Sequence, residues 1–83
     1  MTNIVEYELC GNAAKSFIPK TEEIIIFSDK NKVIVKSNVI NQFNFFQRII
    51  SFAHECKILY PEKIKNEFIA HINNVIEVYD EIE

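Results

Sequence analysis

The hydrophobic pattern of this chain changes period once, between Lys36 and Val39, from two residues to the 3.6 of a helix. Strands gathered before that point and helices after it describe an α+β domain, in which a small antiparallel sheet covers one side of a helical layer. Eighty-three residues are enough for one such domain, spanning 1–83, and too few for two cores.

The clearest segment before the switch is Glu22–Lys36. Two β-branched runs, Ile24-Ile25-Ile26-Phe27 and Val33-Ile34-Val35, flank the polar tetrad Ser28-Asp29-Lys30-Asn31. Asn31 tolerates the left-handed conformation that closes a short turn, so the segment reads as a β-hairpin. In a regular strand Ile24 and Ile26 face one way and Ile25 and Phe27 the other, and both faces then want cover. Upstream, Val5, Tyr7 and Leu9 alternate with Glu6 and Glu8, which predicts an N-terminal strand stopped at Gly11-Asn12. Asn12 to Pro19 is a connector with room for one helical turn carrying Ala13, Ala14 and Phe17.

Beyond Val39 the spacing predicts two long antiparallel helices, 39–59 and 61–82, joined at Tyr60-Pro61, with Ser37 or Asn38 as the first N-cap. In the first, Phe43, Phe46, Ile50 and Ala53 form one stripe and Phe45, Ile49, Phe52, Cys56 and Leu59 a second. Together they cover about twice the arc that one packed neighbour hides. This breadth, with the two-faced strand, predicts a homodimer, isologous and anchored on Phe45, Ile49 and Phe52. The second helix carries Ile64, Phe68, Ile72, Val75, Tyr79 and Ile82, widened by Ile69 and Ile76.

Residues with catalytic potential are few and badly spaced. His54-Glu55-Cys56 begins like a zinc-protease helix, but Ile58 stands where the second histidine belongs. Cys56 lies in an apolar stripe, where a thiol stays protonated, and Ser51 with His54 lacks an acid and an oxyanion hole. One glycine leaves no phosphate-cradling loop. The carboxylate pairs Glu6/Glu8, Glu22/Glu23 and Asp80/Glu81 have no histidine beside them and read as solvated edges and ends. Seven phenylalanines at helical spacing read as core, with a small-ligand pocket as the lesser alternative. The expectation is therefore no enzyme, no cofactor and no metal.

Charge carries the remaining signal. All nine basic residues lie between Lys15 and Lys65, whereas Glu67, Glu77, Asp80, Glu81 and Glu83 follow without a cation. That acidic end, and Glu77, Asp80, Glu81 and Glu83 within it, suits docking on a basic protein surface. Lys30, Lys32 and Lys36 make the hairpin basic, but one arginine and a net charge of −3 argue against nucleic acid, which stands as the alternative partner. The longest apolar run, Ile24 to Phe27, is far too short to span a membrane, and Glu6 interrupts the N-terminus before a signal peptide's apolar stretch, so a cytoplasmic protein is expected. In size, acidity and isoleucine-, asparagine- and lysine-rich usage the chain resembles, in type only, the small accessory proteins of phages and mobile elements: inhibitors, immunity proteins and antitoxins. The expectation is a non-catalytic protein-binding inhibitor or regulator.

Overall fold

A computed structural model describes residues 3–81 as β1 (Asn3–Cys10), α1 (Gly11–Ser16), β2 (Glu23–Ser28), β3 (Lys32–Val39), α2 (Gln42–Ser51), a 3-10 turn (Ala53–Glu55), β4 (Cys56–Tyr60) and α3 (Glu62–Glu81). Ile82 of the expected helix stripe and Glu83 of the expected acidic end lie outside the described residues. The four strands form one antiparallel sheet in the order β2-β3-β1-β4. With β3 between β1 and β2, this is the split βαβ arrangement of ferredoxin-like sheets, extended by α3.

The expected hairpin and N-terminal strand are present, and the connector forms one short helix with Ala13 buried. Every second residue of β1 and β3 faces the helices: Val5, Tyr7 and Leu9 pack beside Val33, Val35 and Val39. Ala13, Phe45, Phe46, Ile49, Ile58 and Ile64 close this core from the other elements.

The helical half departs from the sequence reading. Residues 39–59 are not one helix: Val39 still pairs with Asn3 as sheet, α2 begins after Asn41, and it ends at Ser51. The N-cap is Asn41, whose side chain accepts from the Asn44 N–H at 2.9 Å, in place of the expected Ser37 or Asn38. Ala53 then takes a positive φ of 55°, a turn made without glycine, and the chain enters β4. The broad apolar arc is thus divided between two elements, a helix presenting Phe45, Phe46 and Ile49 and a strand carrying Cys56 and Leu59, and in that strand it is Ile58, outside the arc, that is buried. β4 lies beside β1, with Tyr7 opposite Ile58 and Glu8 opposite Lys57. Only α3 is a long helix, and it packs on α2 through Phe46 and Phe68, whose ring centroids are 5.2 Å apart.

A bulge also alters the two-faced strand. Ile25 pairs with Val35, but Phe27 pairs with Ile34, so Ile26 is the extra residue and Phe27 rejoins the Ile24 side. Ile24 and Phe27 therefore stand on the open face of the sheet, and Ile25 on the helix side.

The strand assignment of 56–60 makes a testable distinction. Ile58, left to solvent in the helical reading, is 5% exposed in β4. Ile58→Ala is expected to destabilise the fold by about 2–5 kcal/mol, as at other buried isoleucines, and the half-exposed neighbour Leu59→Ala by much less. Urea denaturation of the two variants measures the difference.

Candidate protein-binding surface

The only arginine of the chain organises its most concentrated polar chemistry. Glu23, at the start of β2, is 6% exposed, and its carboxylate accepts four hydrogen bonds. The Tyr7 hydroxyl donates to Oε2 at 2.5 Å, Arg48 Nε to Oε2 at 3.2 Å, Arg48 Nη2 to Oε1 at 2.7 Å, and the Lys20 backbone N–H to Oε1 at 3.0 Å. The guanidinium carbon lies 5.5 Å from the ring centres of both Phe17 and Phe52. A planar fork that is both bidentate and stacked is a role lysine cannot fill.

The electrostatics follow from this packing. Burial alone would raise the Glu23 carboxyl, but the Lys20 N–H, the Tyr7 hydroxyl and the Arg48 guanidinium outweigh it and hold it below its ordinary value. Burial, then the adjoining carboxylate, pushes the Tyr7 hydroxyl far up. Arg48 is raised although burial opposes it, because Glu23 and Tyr7 favour its charged form. All four acceptor positions of the carboxylate are occupied. The network is a clamp, and the reading of Glu23 as a solvated edge residue is corrected by it.

A cleft of about 310 Å³ opens beside the clamp, lined by Lys20, Asn38, Asn41, Asn44 and Arg48 among others. A second, of about 240 Å³, gathers Glu8, Cys10, His54, Glu55, Cys56 and Lys57. In the latter the Glu55 carboxylate accepts from the Asn12 and Ala13 backbone N–H groups, both at 3.1 Å, and so caps α1. Gly11 has φ +59°, and an added Cβ would strike this carboxylate. Burial pushes the Cys56 thiol up to about 12. Both cysteines are free thiols, on neighbouring strands. His54 is exposed, while His71 sits 5.6 Å from the Phe46 ring and 6.2 Å from that of Phe43. Among the described residues no three metal-binding side chains come together, and no helix is long and apolar enough to cross a membrane.

The expected interface anchors are displaced. Phe45 and Ile49 are buried in the chain's own core and offer no surface to a partner, and Phe52, partly buried, packs against that core. The exposed apolar residues lie elsewhere. His71 meets the Phe43 and Phe46 rings of α2, Ile72 is still half-buried, and beyond them Val75, Ile76, Val78 and Tyr79 are all exposed, Tyr79 at 70%. These side chains continue the stripe of Ile64 and Phe68 past the end of its partner, and Glu77 and Asp80 beside them are exposed as well. Glu81 closes the helix.

The other uncovered area is the open face of the sheet. Ile24, 62% exposed, stands next to Lys36, and Phe27 next to Ile34, with Lys32 Nζ 5.6 Å from the Phe27 ring centre. Tyr60 is exposed opposite Glu6. Glu8 lies 3.9 Å from both Lys32 and Lys57, so β1 places two carboxylates in the middle of this face and offsets the lysines a nucleic-acid backbone would need.

No protein-family model matches this chain, and comparison with curated proteins finds no relative.

The clamp predicts an acid-sensitive fold. Because the Glu23 carboxyl is held below the ordinary glutamate value near 4.3, its contribution is complete above that value and is lost as pH falls through the lowered one. Arg48→Met strands a buried carboxylate and is expected to cost about 3–5 kcal/mol near neutral pH. Paired Glu23→Gln/Arg48→Met should cost less than that single change. Thermal unfolding of wild type and both variants between acidic and neutral pH checks sign and order.

Proposed function

We propose that this chain is a non-catalytic protein-binding module, a small inhibitor or regulator, which docks through the distal half of α3. The observation that carries the reading is the overhang: an amphipathic helix whose core-facing stripe runs on, exposed, after its own partner has ended. An amphipathic helix laid into an apolar groove is a recurrent recognition mode, with anchors spaced by three and four residues. Val75, Ile76 and Tyr79 have that spacing, and Val78 widens the face. The flanking Glu77 and Asp80 select a groove with a basic rim and speed encounter with it.

The interior chemistry supports the same reading. Tyr7, Glu23 and Arg48 are engaged with one another, Glu55 is engaged in capping α1, and Cys56 holds its proton. None of these groups is poised to attack or to exchange a proton with a substrate. The accessory-protein type and a cytoplasmic site of action accord with a small binding module.

The test is affinity capture from native host cells with the tagged chain and two surface variants. Tyr79→Glu and Ile76→Glu are expected to keep the wild-type circular dichroism and to bind the captured partner about thirtyfold more weakly, the ~2 kcal/mol of a hot-spot side chain. His54→Ala should bind as wild type does. Capture indifferent to both α3 variants would sink the reading.

A further inference from the structure

Two uncovered apolar faces on one small chain, one edged by the lysines of the hairpin strands and one by acids, point to each other, but across molecules. The accessible surface is 5938 Å², whereas a compact monomer of this mass exposes about 5,100 Å². The excess, roughly 800 Å², is similar in size to the share that one partner contributes to an interface of standard size. The radius of gyration, 13.5 Å, likewise exceeds the about 12 Å of a compact domain of this length.

The first face is the hairpin side of the open sheet, where Ile24, Phe27 and Ile34 lie beside Lys32 and Lys36, with Glu8 of β1 3.9 Å from Lys32 and Glu6 paired with Lys36 at its inner border. The second is the distal half of α3, where Val75, Ile76, Val78 and Tyr79 lie beside Glu77 and Asp80 and no cation follows Lys65. Pairing two distal helices brings acids against acids, and pairing two hairpin faces brings lysines against lysines. Laying helix on sheet brings unlike charges together over an apolar centre. Each molecule offers one face of each kind, so two molecules can satisfy both at once around a twofold axis.

We infer that the occupant of this surface is a second copy of the chain, each copy laying the distal half of α3 across the open hairpin face of the other. The inference rests on the reading of α3 as the docking element and gives that element its partner. Tyr79 and Ile76 of one protomer then cover Ile24, Phe27 and Ile34 of its partner, and Glu77 and Asp80 approach Lys32 and Lys36.

The experiment is light scattering and sedimentation equilibrium of the full chain at micromolar concentrations, with two charge-reversed variants. Wild type is expected at twice the chain mass. The helix variant Glu77→Lys/Asp80→Lys and the sheet variant Lys32→Glu/Lys36→Glu should each be monomeric, with at least about tenfold weaker self-association, and unchanged circular dichroism. Mixed in equal amounts they should recover the dimer, because the basic helix of one meets the acidic sheet of the other and the reverse holds as well. A sheet variant that remains dimeric overturns the inference in favour of helix pairing, and a helix variant that remains dimeric overturns it in favour of sheet or edge pairing. A wild type that stays monomeric, while Tyr79→Glu still loses its captured partner, overturns the second copy and leaves the docking helix standing. Loss of neither dimer nor partner on Tyr79→Glu removes both readings.

Discussion

The Glu23 carboxylate is the point at which separate parts of this small fold are made to agree. It sits on the edge strand β2, takes a hydroxyl from β1, a guanidinium from α2 and a backbone N–H from the connector. Arg48 in turn is held between Phe17 of the connector and Phe52 at the end of α2. A buried carboxylate is costly unless every lone pair is matched, so the network is worth having only in one arrangement. It thereby fixes where α2 lies over the sheet. Hydrophobic contact alone would leave that position loose, since the packed residues of α2 are bulky and non-directional.

The strands were legible in the sequence because alternation is a strict signal. Val5, Tyr7 and Leu9, and the two runs around Ser28–Asn31, are strands in the structure as in the sequence, although the bulge at Ile26 moves Phe27 to the other face. The boundary at Ser51 was not legible. Phe52, Cys56 and Leu59 happen to continue a helical spacing, and the turn that separates them uses Ala53 at positive φ, where glycine or asparagine would have marked it. The local signal for β4 was there, in Cys56-Lys57-Ile58, but five residues carry little weight against a twenty-residue period. Tertiary pairing with β1 decided it.

The clamp was hidden for a related reason. Arg48 fell on the polar side of α2 and Glu23 beside another glutamate, which is how solvated residues look along a sequence. Its one trace is composition: eight lysines and a single arginine suggest that this position requires the planar fork. The acidic, apolar character of α3 was visible, whereas the fact that half of it outruns its partner depends on α2 being ten residues long.

That length mismatch also explains why the exposed surface lies where it does. The residues first expected to face a partner, Phe45 and Ile49, are close enough to the sheet to be absorbed by Tyr7, Leu9 and their neighbours. A short α2 covers the middle of the sheet's inner face, leaving Ile25 of the edge strand half-exposed, and does not shelter α3 beyond Ile72. Among the described residues no helix covers the outer face of the sheet, because α1, α2 and α3 lie on the other side or past the end. The bulge at Ile26 adds to this by turning Phe27 outward beside Ile24, so that one edge of the open face becomes apolar as well as basic. A strand of regular register would have kept Phe27 on the helix side. The two uncovered faces are therefore products of the same economy, in which one buried ion pair and one layer of side chains complete the interior and the rest of the apolar sequence stays exposed.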